Sequence, residues 1–200
     1  LAPGHKMGLA LARPFMPAAG CFGWGDAYRG LVDARLWGAV VVGPLTARPR
    51  RGARPPRVIP LPAGVLLHTG LANPGVDRVV RRYGRIWARI PVPVIVHVAG
   101  TTPQEVAACC RRLATVEPVA GIELGVPDGL LLDDVAGLVE TARQETLLPL
   151  LVRLPLGEAD VLCALAVECG AQALTVAAPP RGEVWQDGHF VGGRVYGLGV

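Results

Sequence analysis

The sequence predicts an α/β protein of the (β/α)8 TIM-barrel type, and three observations carry that expectation. Short apolar, β-branched runs alternate with segments of helical period, as parallel strands joined by crossover helices require. The runs 38–42 (GAVVV), 92–98 (IPVPVIVHV without its first two residues), 119–124 (VAGIEL), 148–154 (LPLLVRL) and 171–177 (AQALTVA) are apolar at most positions, the pattern of strands covered on both faces. Most successive runs lie roughly 25 to 30 residues apart, the length of one strand-helix unit.

A further strand is expected around 11–16, which brings the count to about six of the eight in such a barrel. Barrels of this kind typically need about 250 residues, so the 200 residues are expected to form one domain, 1–200, incomplete at its C-terminal end. A doubly wound open sheet also fits the strand count, but no G-x-G-x-x-G follows the first strand.

The helices are legible between the strands. Val76, Val79, Val80, Tyr83, Ile86 and Trp87 repeat at helical spacing with Arg78, Arg81, Arg82 and Arg85 opposite, which predicts an amphipathic helix. Thr102 before Pro103 predicts a capped helix start that leads through 106–114. Segments 129–145 and 158–169 supply two more, the second stopped by Gly170.

Composition narrows the function classes. With 51% hydrophobic and 18% charged residues the chain can bury a sizeable core. No apolar run reaches the roughly 18 to 20 residues that span a bilayer, and the opening residues lack a signal-peptide pattern, so a cytoplasmic protein with no membrane partner is expected. The five cysteines, Cys21, Cys109, Cys110, Cys163 and Cys169, show no metal-ligand spacing and read as reduced core thiols, with no metal. The net charge of +4 gathers at Arg48, Arg50, Arg51, Arg54 and Arg57, among prolines and without aromatics, which reads as a solvated loop rather than a nucleic-acid surface.

Several segments resemble one family in order along the chain. Residues 13–23 (RPFMPAAGCFG) resemble the opening motif of dihydroorotate dehydrogenases, 38–57 (GAVVVGPLTARPRRGARPPR) the second-strand motif and its loop, and 62–75 (PAGVLLHTGLANPG) the segment after it. Residues 94–100, 121–124 and 150–154 continue the register, and 192–197 is similar to the segment before the family's seventh strand. The resemblance implies an FMN-binding barrel that oxidises dihydroorotate, a small-molecule substrate, to orotate in pyrimidine biosynthesis. A homo-oligomer is an expected form.

The same resemblance implies cofactor-binding positions at Ala19, Gly20, Gly43, Pro44, His97 and Arg153, and substrate positions at Leu67, Gly70 and Leu71. At these places most donor and acceptor side chains differ from the family's. Its flavin- and substrate-facing lysine stands as Gly43 and the next residue as Pro44, which lacks even a backbone donor. Its substrate asparagine is Leu67, its third-strand asparagine His97, its flavin-contacting serine Ala19, its fifth-strand lysine Arg153 and its sixth-strand asparagine Ala178. The fourth-strand signature that carries the cysteine or serine base reads Gly125-Val126-Pro127-Asp128, so no catalytic residue is assigned.

Asp128 is the nearest carboxylate for proton abstraction, yet reads as a loop or helix-cap aspartate. His97 reads as a core histidine, His68 as a loop residue and Cys21 as a small buried hydrophobe. Three readings stay open: an FMN-dependent dihydroorotate dehydrogenase, a catalytically inactive homologue acting as a binding or assembly subunit, and a fragment of a longer protein.

Overall fold

The computed structural model describes residues 8–28 and 30–197. In chain order its main elements are β1 (Val40–Leu45), β2 (Val58–Leu61), β3 (Gly64–Leu67), α1 (Val76–Trp87), β4 (Val94–Val98), α2 (Pro103–Ala114), β5 (Val119–Gly125), α3 (Leu132–Glu145), β6 (Leu150–Pro155), α4 (Ala159–Glu168), β7 (Ala173–Ala178), β8 (Arg181–Gln186) and β9 (His189–Gly197).

Strands β1, β4, β5, β6 and β7 pair in that order, all parallel, with α1 to α4 as their crossovers. This is a partial (β/α)-barrel wall, as the apolar runs predict. Burial explains why these runs carry so little polarity. Val40, Val42, Val96, Ile122, Leu124, Leu150 and Val152 point outward and pack against Trp87, Leu113, Leu138 and Leu162 of the helices. On the other face, Ala39, Val41, Ile95 and Leu151 pack with Leu9, Leu11 and Ala19 of the N-terminal segment.

The helix starts follow local chemistry. Thr102 caps α2 by accepting from the Glu105 amide at 3.3 Å, while Glu105 reaches back to the Thr101 amide at 3.1 Å, so two otherwise orphaned donors are satisfied. Helix α1 buries Val76, Val79, Tyr83 and Trp87 and turns its arginines to water. The Trp87 indole donates to the Trp24 carbonyl at 2.9 Å, which ties the loop after the first motif to this helix.

Two expectations need correction. Residues 11–16 form no strand, so the parallel wall has five strands rather than six. Pro14 and Pro17 remove amide donors from that stretch, and its link to the wall is the bond from the Gly38 amide to the Phe15 carbonyl at 2.7 Å. The second correction is a sheet that the apolar runs do not predict: β2, β3, β9 and β8 form an antiparallel sheet in that order. It grows from the C-terminal ends of β1 and β7, and Arg194 of β9 bonds Asp128, just beyond β5, so the sheet lies at the C-terminal end of the wall.

Among the described residues no helix is long and apolar enough to cross a membrane.

Candidate functional site

The alternation that sends Val96, Val98, Ile122, Leu124, Val152 and Leu174 towards the helices sends His97, Glu123, Arg153 and Thr175 to the inner face. They stand near the C-terminal ends of their strands, where barrels place their chemistry. His97 Nδ1 lies 2.6 Å from Glu123 Oε2, and the Thr175 hydroxyl donates to Glu123 Oε1 at 2.9 Å. His97 and Glu123 are 6% and 3% exposed, so this is a polar network inside an apolar wall.

Burial pushes the Glu123 carboxyl pKa up, but the His97 hydrogen bond and charge, the Thr175 hydroxyl and the Arg153 charge outweigh it and hold it below the usual glutamate range. Arg153 is half-buried and, among the described residues, makes no hydrogen bond or ion pair of its own. Glu123 and Thr175 were not singled out by the sequence reading. The available signal was one carboxylate inside the otherwise apolar run VAGIEL.

The remaining expected positions divide between mouth and rim. Gly43 takes φ +121, a conformation that favours glycine, and a Cβ built there would stand 2.8 Å from the His97 carbonyl oxygen. Pro44 follows it within β1. Leu67 pairs in register with Arg194 of β9, half-buried. Gly70 and Leu71 form a turn at φ 62 and 55, tight enough that a Cβ on Gly70 would run into the Ala53 amide. Gly20, at φ +90, has open space around it, and Ala19 packs on the inner apolar cluster beneath. Ala178 ends β7, paired with Pro155.

The structure places three other candidate residues. Asp128 is ion-paired with Arg194, whose guanidinium also donates to the Pro179 carbonyl at 2.8 Å, so the aspartate joins the antiparallel sheet to the wall. Arg194 sits in the tail segment and was missed as a site residue. Cys21 is exposed, which corrects its reading as a buried hydrophobe; Cys109 and Cys110 are buried, and Cys163 and Cys169 partly so. His68 lies beyond β3 with its amide bonded to the Arg57 carbonyl at 2.8 Å. Among the described residues no three His, Cys, Asp or Glu side chains gather in a way that could hold a metal.

Whether these residues fit the flavin implied by the resemblance turns on Gly43 and Gly125. A Cβ on Gly125 would lie 2.6 Å from His97 Cε1 and 2.8 Å from its Nε2, so the imidazole fills the place of a side chain at 125. A lysine at 43 would meet the His97 backbone. Among the described residues, no fully buried side-chain nitrogen or oxygen lacks a partner. The His97 ring occupies the space of a residue-125 side chain and its backbone closes off one at 43, so the family's mode of holding flavin and substrate does not fit the residues on this face.

The dihydroorotate dehydrogenase family model matches residues 4–147. The dihydroorotate dehydrogenase B (NAD(+)) catalytic subunit of Desulforudis audaxviator is 36% identical over 181 residues, covering 84% of this chain and 59% of that protein. That of Geobacillus kaustophilus is 33% identical, covering 84% of this chain and 58% of its own length. The chain therefore spans less than two thirds of these relatives. The crystal structure of an Eimeria tenella DHODH in complex with ferulenol shares the fold at TM-score 0.69 and 17% identity, covering 82% of this chain and 56% of that one. The family match spans more than half of the sequence, and this chain belongs to the dihydroorotate dehydrogenase family.

Proposed function

We propose that this protein is a catalytically inactive member of the dihydroorotate dehydrogenase family that serves as a binding or assembly subunit, with residues 1–200 forming one incomplete barrel domain. A cytoplasmic location and self-association belong to the same proposal. The observation that carries it is the His97 ring in the space of a residue-125 side chain, 2.6 Å from the position of its Cβ. With Gly43 closed against the same strand and Asp128 ion-paired with Arg194, neither the family's lysine nor an unpaired Asp128 carboxylate stands at the mouth.

The relatives named as catalytic subunits make FMN-dependent oxidation of dihydroorotate the second reading, and two features favour it. Gly20 keeps an open backbone approach, and Arg153 keeps a positive charge at the fifth-strand position, with no hydrogen bond of its own among the described residues. The visible absorbance spectrum of purified full-length protein, with an orotate assay on the same sample, separates the two. A colourless preparation that forms no orotate supports the first reading; a yellow one that forms orotate overturns it.

A further inference from the structure

Two groups in the inner polar network are not used by it. Glu123 faces His97 at Oε2 and accepts from Thr175 at Oε1, and it acts on Arg153 through its charge, with no hydrogen bond between the two. A guanidinium carries five N–H donors, and those of Arg153 meet no acceptor among the described residues. His97 spends Nδ1 on Glu123, while Nε2 has no partner among the described residues. No fully buried side-chain nitrogen or oxygen lacks a partner among the described residues, and His97 keeps 6% of its surface exposed, with Nε2 its one unpartnered nitrogen among them.

Nε2 lies over Gly125, 2.8 Å from where a Cβ would stand. Gly125 pairs in register with Arg153 on the next strand. Strand β5 therefore presents bare backbone between an imidazole on β4 and a guanidinium on β6. Two strand spacings, about 10 Å, separate the backbones of the flanking strands, so a ligand that touches both side chains is compact.

We propose that His97, Gly125 and Arg153 form a binding site for a small α-hydroxycarboxylate, with its carboxylate on the Arg153 guanidinium and its hydroxyl on His97 Nε2. The guanidinium fork matches a carboxylate in two parallel bonds. A hydroxyl both donates and accepts, so it satisfies the imidazole nitrogen in either protonation state. Glu123, fixed from its far side by Thr175, holds the imidazole in place. The site rests on the flavin-free reading above, because a flavin on the family's inner face would cover it.

The test uses full-length protein isotope-labelled in its histidines, titrated with lactate and, in parallel, with propionate, which lacks the hydroxyl. The His97 signal is the one absent from His97→Asn. Lactate is expected to shift the His97 Nε2 resonance and to bind roughly tenfold more tightly than propionate, the worth of one hydrogen bond. Arg153→Met, which removes the guanidinium and spares the His97–Glu123–Thr175 contacts, is expected to abolish both interactions. An unshifted His97, or equal binding of the two acids, overturns the site. A flavin band in the spectrum of the same sample overturns the flavin-free reading, and the titration judges the site separately.

Discussion

His97 and Gly125 share one space, with the imidazole Cε1 2.6 Å from where a β-carbon on residue 125 would stand. A side chain at 125 is blocked for as long as the imidazole stands at 97. Gly125→Ala should destabilise the protein by about 1–3 kcal/mol through overpacking. The same change made in His97→Ala should cost much less, because the ring it strikes is gone. Urea denaturation of wild type, both single variants and the double variant measures that coupling, and equal costs of Gly125→Ala in the two backgrounds would refute the shared space.

Restoring the family's lysine should fail for a related reason. Gly43→Lys places a side chain at φ +121 against the His97 carbonyl, and is expected to cost about 1–3 kcal/mol without conferring flavin binding. Thermal denaturation and a flavin titration check the two halves of this expectation.

Glu123 should make stability depend on acid. Its folded pKa is lowered, so its contribution is fully present above the ordinary glutamate value of 4.5 and is lost as pH falls through the folded value. Glu123→Gln should remove that component, leaving a flatter stability profile below pH 4.5 than wild type. Denaturant midpoints across an acid pH series test this. Parallel profiles would show that the carboxylate is not coupled to folding.

The thiols should separate by position. Burial, reinforced by nearby negative charge, pushes both Cys109 and Cys110 up to about 12, whereas Cys21 is exposed. A thiol reagent at neutral pH should modify Cys21 first, and Cys109 and Cys110 only when the protein unfolds. Mass spectrometry of the modified peptides reads the order directly.

The parts of the fold legible in the sequence are those written in local periodicity. Helix α1 spans the predicted residues, Thr102 and Pro103 start α2 as expected, and the five apolar runs became the five parallel strands. The antiparallel sheet was not legible because its strands carry weak alternation: β2 contains Pro60, β8 is half polar, and β9 holds the pair Gly192-Gly193. Residues 11–16 misled in the other direction: Leu11 packs on the inner cluster, while Phe15 and Met16 are exposed and no ladder forms.

At the site, the family register located His97 and Arg153 on the inner face, but it could not supply their partners. Glu123 meets His97 across a strand boundary, and Thr175 meets Glu123 from two strands further on. Such pairings depend on register between distant segments, which no local pattern encodes. The Arg194–Asp128 pair was hidden in the same way.

The antiparallel sheet also sets a schedule for the molecule's assembly. Each strand of the parallel wall can join its predecessor as it leaves the ribosome, because order in the wall follows order in the chain. Strand β3 has to wait with one edge unpaired until β9 has been synthesised, when Leu67 meets Arg194. The sheet at the C-terminal end of the wall therefore closes only after the five parallel strands have been made, and a nascent chain stalled before β9 would expose the β3 edge to other chains.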